Sequence, residues 1–202
     1  NGALIPYTYE KCEKKDYKSL SHTTSLILLF FAVPCLVIVL AAPEIISLLA
    51  PSAYKESIYV IPPIIGGVYV SSLYYIFANV IYYYKKPKFV MFASVISAVA
   101  NIVLNYIFIP VFGYAAAGYT TLFCYLLQAI LDYAAMRSVV KEKVYKYSTI
   151  VVITATVVVF SLVSALLYDY VVLRYGIVLL FFTACFVFRK RIVSVFSSIK
   201  KK

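Results

Sequence analysis

Polar side chains recur at helical spacing inside two of the most apolar stretches of this sequence. They form two series, each with members three or four residues apart: Ser94, Ser97, Asn101 and Asn105, then Thr121, Cys124, Gln128 and Asp132. This spacing places each series on one face of a helix. Amides, hydroxyls and a carboxylate among apolar residues can exchange hydrogen bonds between helices, or they can line a polar path.

The turn between the two series decides which residues can meet. Pro110 and Gly113 interrupt the helix, so the two stretches predict an antiparallel hairpin. Residues at equal depth in such a hairpin have a constant sum of residue numbers. The positions of equal depth are Asn105 with Thr121, Asn101 with Cys124, Ser97 with Gln128, and Ser94 with Asp132. We expect Asn101 and Asn105 to lie beside Thr121, Cys124 or their immediate neighbours, and Ser97 near Gln128. We interpret this polar ladder chiefly as interhelical hydrogen bonding, with a polar pathway as the alternative. Asp132 is the ladder residue for which a role beyond structural hydrogen bonding is most expected. An ion pair with the nearby Arg137 is the simpler interpretation.

The composition requires a membrane to accommodate these helices. Of 202 residues, 64% are hydrophobic and only 13% are charged, and the mean hydropathy is +0.93. Soluble domains are about half apolar, and a helix needs about 20 apolar residues to cross a bilayer. The sequence predicts an all-α polytopic membrane protein with spans at 21–42, 57–83, 89–109, 115–136, 147–167 and 171–188.

The basic residues predict the orientation of these spans. All of the 19 lysines and arginines except Lys55 and Arg174 fall in alternate loops and at the two ends. Basic loops mark the cytoplasmic side, so both termini are expected in the cytoplasm. Residues 1–20 are predicted to be a cytoplasmic interfacial segment, 21–188 the six-span lobe and 189–202 a basic cytoplasmic tail. The net charge of +11 is therefore a topology signal, and nucleic acid is not an expected partner.

The second span contains the clearest helix-breaking residues, which we interpret as a hinge. These are Pro62, Pro63, Gly66 and Gly67. The residues beyond them that share one face are candidates for lining a substrate cavity, with helix packing as the alternative: Tyr69, Ser72, Asn79 and Tyr83. Arg174, near the outer end of the last span, is expected to reach the headgroups or to contact an anion.

No catalytic or metal-binding motif accompanies these features. The sequence has one histidine, few carboxylates and no nucleophile, phosphate-loop or dinucleotide pattern. Its four cysteines have no zinc or redox spacing. We therefore expect no enzyme activity, no cofactor and no metal.

Three stretches resemble the polysaccharide-repeat-unit flippases: "APEIISLLAPSAYKESIYVIPP", "FANVIYYYKKPKF" and "ANIVLNYIFIPVFGYAAAGYTTLFCY". These flippases share a superfamily with multidrug exporters and peptidoglycan lipid flippases. The resemblance implies a fold of two six-helix lobes around a central cavity, with this chain as the second lobe and its first two spans bordering the cavity. It also implies transfer of an undecaprenyl-pyrophosphate-linked oligosaccharide across the cytoplasmic membrane for capsule, O-antigen or related polysaccharide synthesis. The expected partners are this glycan, membrane lipids and a first lobe in the same or a separate chain.

Three other functions stay open at this point. A multidrug exporter of the same fold would need a compact cavity with a buried carboxylate. A non-transporting subunit of a glycan-assembly complex would need only the membrane anchor. A membrane glycosyltransferase would need larger loops with acidic catalytic residues, which this sequence lacks.

Overall fold

The computed structural model of the chain describes residues 2–187, so the predicted basic tail at 189–202 lies outside the described residues. Eight α-helices follow one another: α1 Leu4–Glu13, α2 Tyr17–Leu40, α3 Ala42–Leu49, α4 Ile61–Tyr83, α5 Pro87–Phe112, α6 Ala115–Val139, α7 Tyr147–Val163 and α8 Val171–Val187. Two 3₁₀ segments, Ser52–Val60 and Ser164–Leu167, precede α4 and follow α7. No strand occurs in this part of the chain.

Five helical segments are long and apolar enough to cross a membrane. They are Tyr17–Leu40, Ser52–Tyr83, Pro87–Phe112, Ala115–Val139 and Tyr147–Leu167, and a shorter apolar stretch covers Val171–Thr183. The prediction of an all-α polytopic membrane protein is confirmed. Each of the six predicted spans corresponds to one of these helices, and the last one is the shortest within the described residues.

The first span begins four residues earlier than predicted because Asp16 caps it. The Ser19 N–H donates to Asp16 Oδ1 at 3.2 Å, and the Lys11 amine lies 2.6 Å from Asp16 Oδ2. Hydrogen bonds from Lys11 and Ser19 lower the pKa of Asp16 to about 2. A charged side chain therefore starts α2 at the end of the segment that we predicted to be interfacial.

The predicted break inside the second span lies at its beginning instead. Pro62 and Pro63 occupy the first turn of α4, where a missing N–H costs no helical hydrogen bond. From there α4 continues through Gly66 and Gly67 to Tyr83. The expected kink is thus replaced by a change from the 3₁₀ segment to α-helix before Ile61, and its use as a functional hinge stays a prediction.

One glycine on each helix sets the distance between α4 and α6. A Cβ added at Gly67 would lie 3.2 Å from Tyr125 Cδ2 and 3.4 Å from Leu122 Cα. On the facing helix, a Cβ at Gly118 would lie 3.1 Å from both Pro63 Cγ and Val60 Cγ1. Small residues at both positions let the helices approach at backbone distance, as in other membrane helix pairs.

Gly67→Leu is expected to destabilise the lobe by about 1–3 kcal/mol, since the larger side chain forces α4 and α6 apart. Thermal unfolding in detergent measures this effect. Gly176→Leu is the matched control, because a Cβ at Gly176 has no neighbour within 4 Å. Equal melting temperatures for the two variants would contradict the close packing of α4 and α6.

Candidate functional site

Helix α4 is enclosed by other helices on most of its surface but leaves one stripe uncovered. We define the α4 stripe as Ile64, Val68, Ser71, Tyr75 and Tyr82. Spacings of three, four and seven residues place its members on one helical face. Tyr75 and Tyr82 are 45% and 38% exposed, whereas Phe77 and Val80 between them are almost fully buried. The helix at the centre of the lobe therefore presents a hydroxylated surface.

The hydroxyls of this surface are organised by local bonds. Ser71 Oγ donates to the Val68 carbonyl at 2.7 Å, and Ser72 Oγ donates to the Tyr69 carbonyl at 2.7 Å. Because each serine donates its proton to the backbone, its oxygen lone pairs remain available as acceptors.

Tyrosine rings complete the same surface. The Tyr74 and Tyr82 hydroxyls lie 3.2 Å apart, and the Tyr74 and Tyr75 rings meet edge to face at 5.3 Å. The α4 stripe thus offers hydrogen-bond acceptors beside flat aromatic faces, a combination that suits polyhydroxylated ligands.

The four predicted cavity residues do not form one open surface. Tyr69 is fully buried: its ring stacks on Phe31 at 6.0 Å, and its hydroxyl donates to the Leu28 carbonyl at 3.4 Å. Asn79 is 2% exposed, and Ser72 and Tyr83 are half-buried. The exposed face lies beside the predicted one, because α2 covers the Tyr69 side of α4. Substrate contact by these four residues stays a prediction.

Arg174, the fifth candidate, is buried and already paired within the lobe. Its two terminal nitrogens lie 2.7 and 2.6 Å from the two carboxylate oxygens of Glu44, and one of them also donates to the Leu40 carbonyl at 2.6 Å. The guanidinium holds the pKa of Glu44 below its usual range. We call this contact the Arg174–Glu44 latch. It joins α8 to the junction of α2 and α3, and it engages both terminal nitrogens of Arg174 within the lobe.

The two series of the polar ladder do face each other, as predicted. Asn105 Nδ2 donates to Asn101 Oδ1 at 3.0 Å, and the Thr120 hydroxyl donates to Asn105 Oδ1. At the other end, Gln128 Nε2 donates to Ser94 Oγ at 3.2 Å. The hairpin of α5 and α6 is therefore joined by amide and hydroxyl bonds at two depths.

The individual bonds lie close to the predicted levels. Asn105 bonds to Thr120, an immediate neighbour of Thr121, so its expected position is confirmed. Gln128 bonds to Ser94, three residues from the expected Ser97. A constant sum assumes parallel axes, whereas packed helices cross at an angle, so the matching positions drift along the hairpin.

Asp132 lies toward the end of this hairpin that is remote from its turn, and it lacks the expected ion pair. It is fully buried, and neither of its carboxylate oxygens has a hydrogen-bond partner among the described residues, as is also true of the Ser97 hydroxyl. Arg137 instead donates to the carbonyls of Lys141 and Glu142, at 3.2 and 2.9 Å. Within residues 2–187 no group of three or more His, Cys, Asp or Glu is placed to hold a metal.

A family model described as MatE matches residues 5–107, about half of the chain. The chain belongs to the MatE family. No curated protein and no solved structure matches it. The matched MatE region runs from α1 into α5 and includes the α4 stripe, Asn101 and Asn105. MatE proteins are membrane exporters and flippases, so membrane transport is the class of function to which this surface belongs.

Asn105→Leu is expected to loosen the hairpin of this MatE lobe by about 1 kcal/mol, as for one interhelical bond in a membrane. The loss is small because the Thr120 hydroxyl also donates to the Ala117 carbonyl, at 3.1 Å. Tyr106→Leu, at a residue that is 83% exposed, serves as the control in a thermal unfolding assay. A change of several kcal/mol in the free energy of unfolding, or no change, would contradict the expected contribution of the amide bonds.

Proposed function

We propose that this chain is one lobe of a flippase that transfers an undecaprenyl-pyrophosphate-linked oligosaccharide across the cytoplasmic membrane. The observation that supports this function best is the α4 stripe. Aromatic faces can stack on the apolar C–H faces of sugar rings, and hydroxyl oxygens can accept hydrogen bonds from sugar hydroxyls. Lipid alone would not favour one serine and two tyrosines along one side of a central helix.

The physical task of such a protein is to shield a polar headgroup from hydrocarbon. Burying charged and hydroxylated groups without partners is costly, so a flippase must present a polar surface while the lipid tail stays in the bilayer. In this lobe Arg174 is engaged by Glu44. The positive charge for the pyrophosphate is therefore assigned to the opposite lobe, carried by the same or a separate chain.

A second candidate function is export of cationic small molecules. It is favoured by Asp132, a buried carboxylate without a hydrogen-bond partner in the described part of the chain. A carboxylate inside the membrane is often functional. We rank this function second because the α4 stripe has neutral hydroxyls and no acidic residue.

Replacement of the stripe tyrosines separates the two functions. Cells that carry Tyr75→Ala with Tyr82→Ala in the full-length protein should accumulate lipid-linked glycan on the cytoplasmic side and lose surface glycan. Phe92→Ala, at a residue of α5 that is 59% exposed, should behave as wild type. Normal surface glycan in a deletion strain without a paralogue would refute the proposal, and increased drug accumulation there would favour export.

The proposed orientation has both termini in the cytoplasm and predicts a labelling pattern. Cysteines that replace Ser52 or Asp169 should react with an impermeant thiol reagent from outside, whereas cysteines at Lys86 or Lys141 should not. The native Cys12, Cys35 and Cys124 are buried, and the chain without a new cysteine gives the background. Labelling at position 86 from outside would reverse the assignment of sides.

A further inference from the structure

Two cavities of opposite character join on the side of the lobe where α6 and α7 meet. The first, of about 360 Å³, is an almost wholly apolar groove between α4, α6 and α7. The second, of about 280 Å³, lies against the loop between α6 and α7 and is lined by Arg137, Lys143, Lys146 and Ser148. Tyr133 and Tyr147 line both cavities, and their rings stack at 4.4 Å. The groove and the basic pocket therefore adjoin at this pair of rings.

The loop that forms the basic pocket is held in place by the surrounding helices. Arg137 donates to the carbonyls of Lys141 and Glu142, and the Lys146 N–H donates to Ser21 Oγ at 2.9 Å. The Tyr145 hydroxyl donates to the Ile76 carbonyl at 3.1 Å, with Tyr145 and Val144 both buried. Bonds to α2, α4 and α6 thus fix the pocket before any ligand binds.

We infer that this composite site binds one anionic phospholipid of the adjacent leaflet, with its phosphate in the basic pocket and an acyl chain in the groove. Basic pockets between membrane helices suit anionic headgroups, and the apolar groove continues from the pocket into the depth of the membrane. A soluble phosphate compound would leave the groove empty, and a neutral lipid would leave the basic residues without a counter-charge.

This site is separate from the α4 stripe. Leu73 and Phe77 of α4 line the groove, and Leu73 lies two residues from both Ser71 and Tyr75. Two residues correspond to about 200° around a helix, so the groove and the stripe occupy nearly opposite faces of α4. The lipid is therefore a bound structural partner of the lobe, and its binding does not depend on the transported substrate.

Lipid binding to the full-length protein in detergent tests the inference. The probes are dioleoyl-phosphatidylglycerol, dioleoyl-phosphatidylcholine and inorganic phosphate, each followed by native mass spectrometry and by the shift in melting temperature. Wild type should bind one phosphatidylglycerol in preference to phosphatidylcholine. Lys143→Gln with Lys146→Gln should weaken that binding by about thirtyfold, since each lysine adds to the attraction of an anionic headgroup.

Matched variants distinguish a specific site from general charge attraction. Lys86→Gln with Lys88→Gln removes the same charge from another loop and should leave phosphatidylglycerol binding unchanged. Ala155→Phe places a ring in the groove and should weaken binding of the lipid, whereas Thr156→Phe, at an exposed neighbour outside the groove, should not. Three results would overturn the inference. They are an equal loss of phosphatidylglycerol binding in the two double lysine variants, undiminished binding in Ala155→Phe, and a shift in melting temperature with inorganic phosphate equal to that with phosphatidylglycerol.

Discussion

Glu44→Ala should destabilise the lobe by about 3–5 kcal/mol, the usual cost of removing one member of a buried ion pair. The Arg174 side chain is 3% exposed, whereas that of Glu44 is 38% exposed. Removal of Glu44 therefore leaves an enclosed guanidinium that keeps only the Leu40 carbonyl as an acceptor. Arg174→Leu should cost less, because the Glu44 carboxylate that remains can be hydrated.

Thermal unfolding of the single variants and of Glu44→Leu with Arg174→Leu measures this asymmetry. The double variant should recover most of the lost stability, since a hydrophobic pair avoids the desolvation of both charges. The pKa of Glu44 is lowered in the folded lobe, so the contribution of the latch is present above the unfolded pKa of glutamate. That contribution should disappear as the pH falls through the folded pKa. Equal losses in both single variants would contradict the difference in burial.

The second large effect is expected at Asp132, where replacement should stabilise the protein. Asp132→Asn removes a buried group that can carry charge and has no hydrogen-bond partner among the described residues. We expect a gain of about 1–3 kcal/mol, because burying a neutral amide costs less desolvation energy than burying a carboxylate. Asp169→Asn, at an exposed position on the opposite side, is the control and should have little effect.

A transport assay on the same two variants tests whether the carboxylate has a function. Higher stability with lower transport would identify Asp132 as part of a polar pathway, and higher stability with normal transport would identify it as a tolerated defect. A loss of stability in Asp132→Asn would show that the carboxylate has a stabilising partner, and would contradict the expected gain.

The sequence predicted the number of apolar helices and the facing of α5 and α6, because both follow from the period of apolar and polar residues. It predicted a kink at Pro62 and Pro63, which occupy the first turn of α4 instead, since two prolines fit the first turn of a helix as well as they fit a kink. The levels of the ladder residues were predicted only to within a residue or a turn. Helix crossing angles depend on the packing of whole side chains, and residue arithmetic contains no such information.

The exposed α4 stripe and the Arg174–Glu44 latch could not be predicted from local patterns. Which face of α4 stays open depends on where α2, α6 and α7 pack, and α2 covers the side that carries Tyr69. Arg174 and Glu44 are 130 residues apart in the chain. An inward-facing arginine near the end of an apolar helix was a signal that a partner exists, but nothing in the sequence identified Glu44.

The latch also restricts how the helices of the lobe can move. It ties the last described helix to the end of the first span, so the beginning and the end of the helix bundle are clamped at one level of the membrane. A bundle closed in this way resists the sliding of single helices. We expect α2, α3 and α8 to turn together as one rigid body.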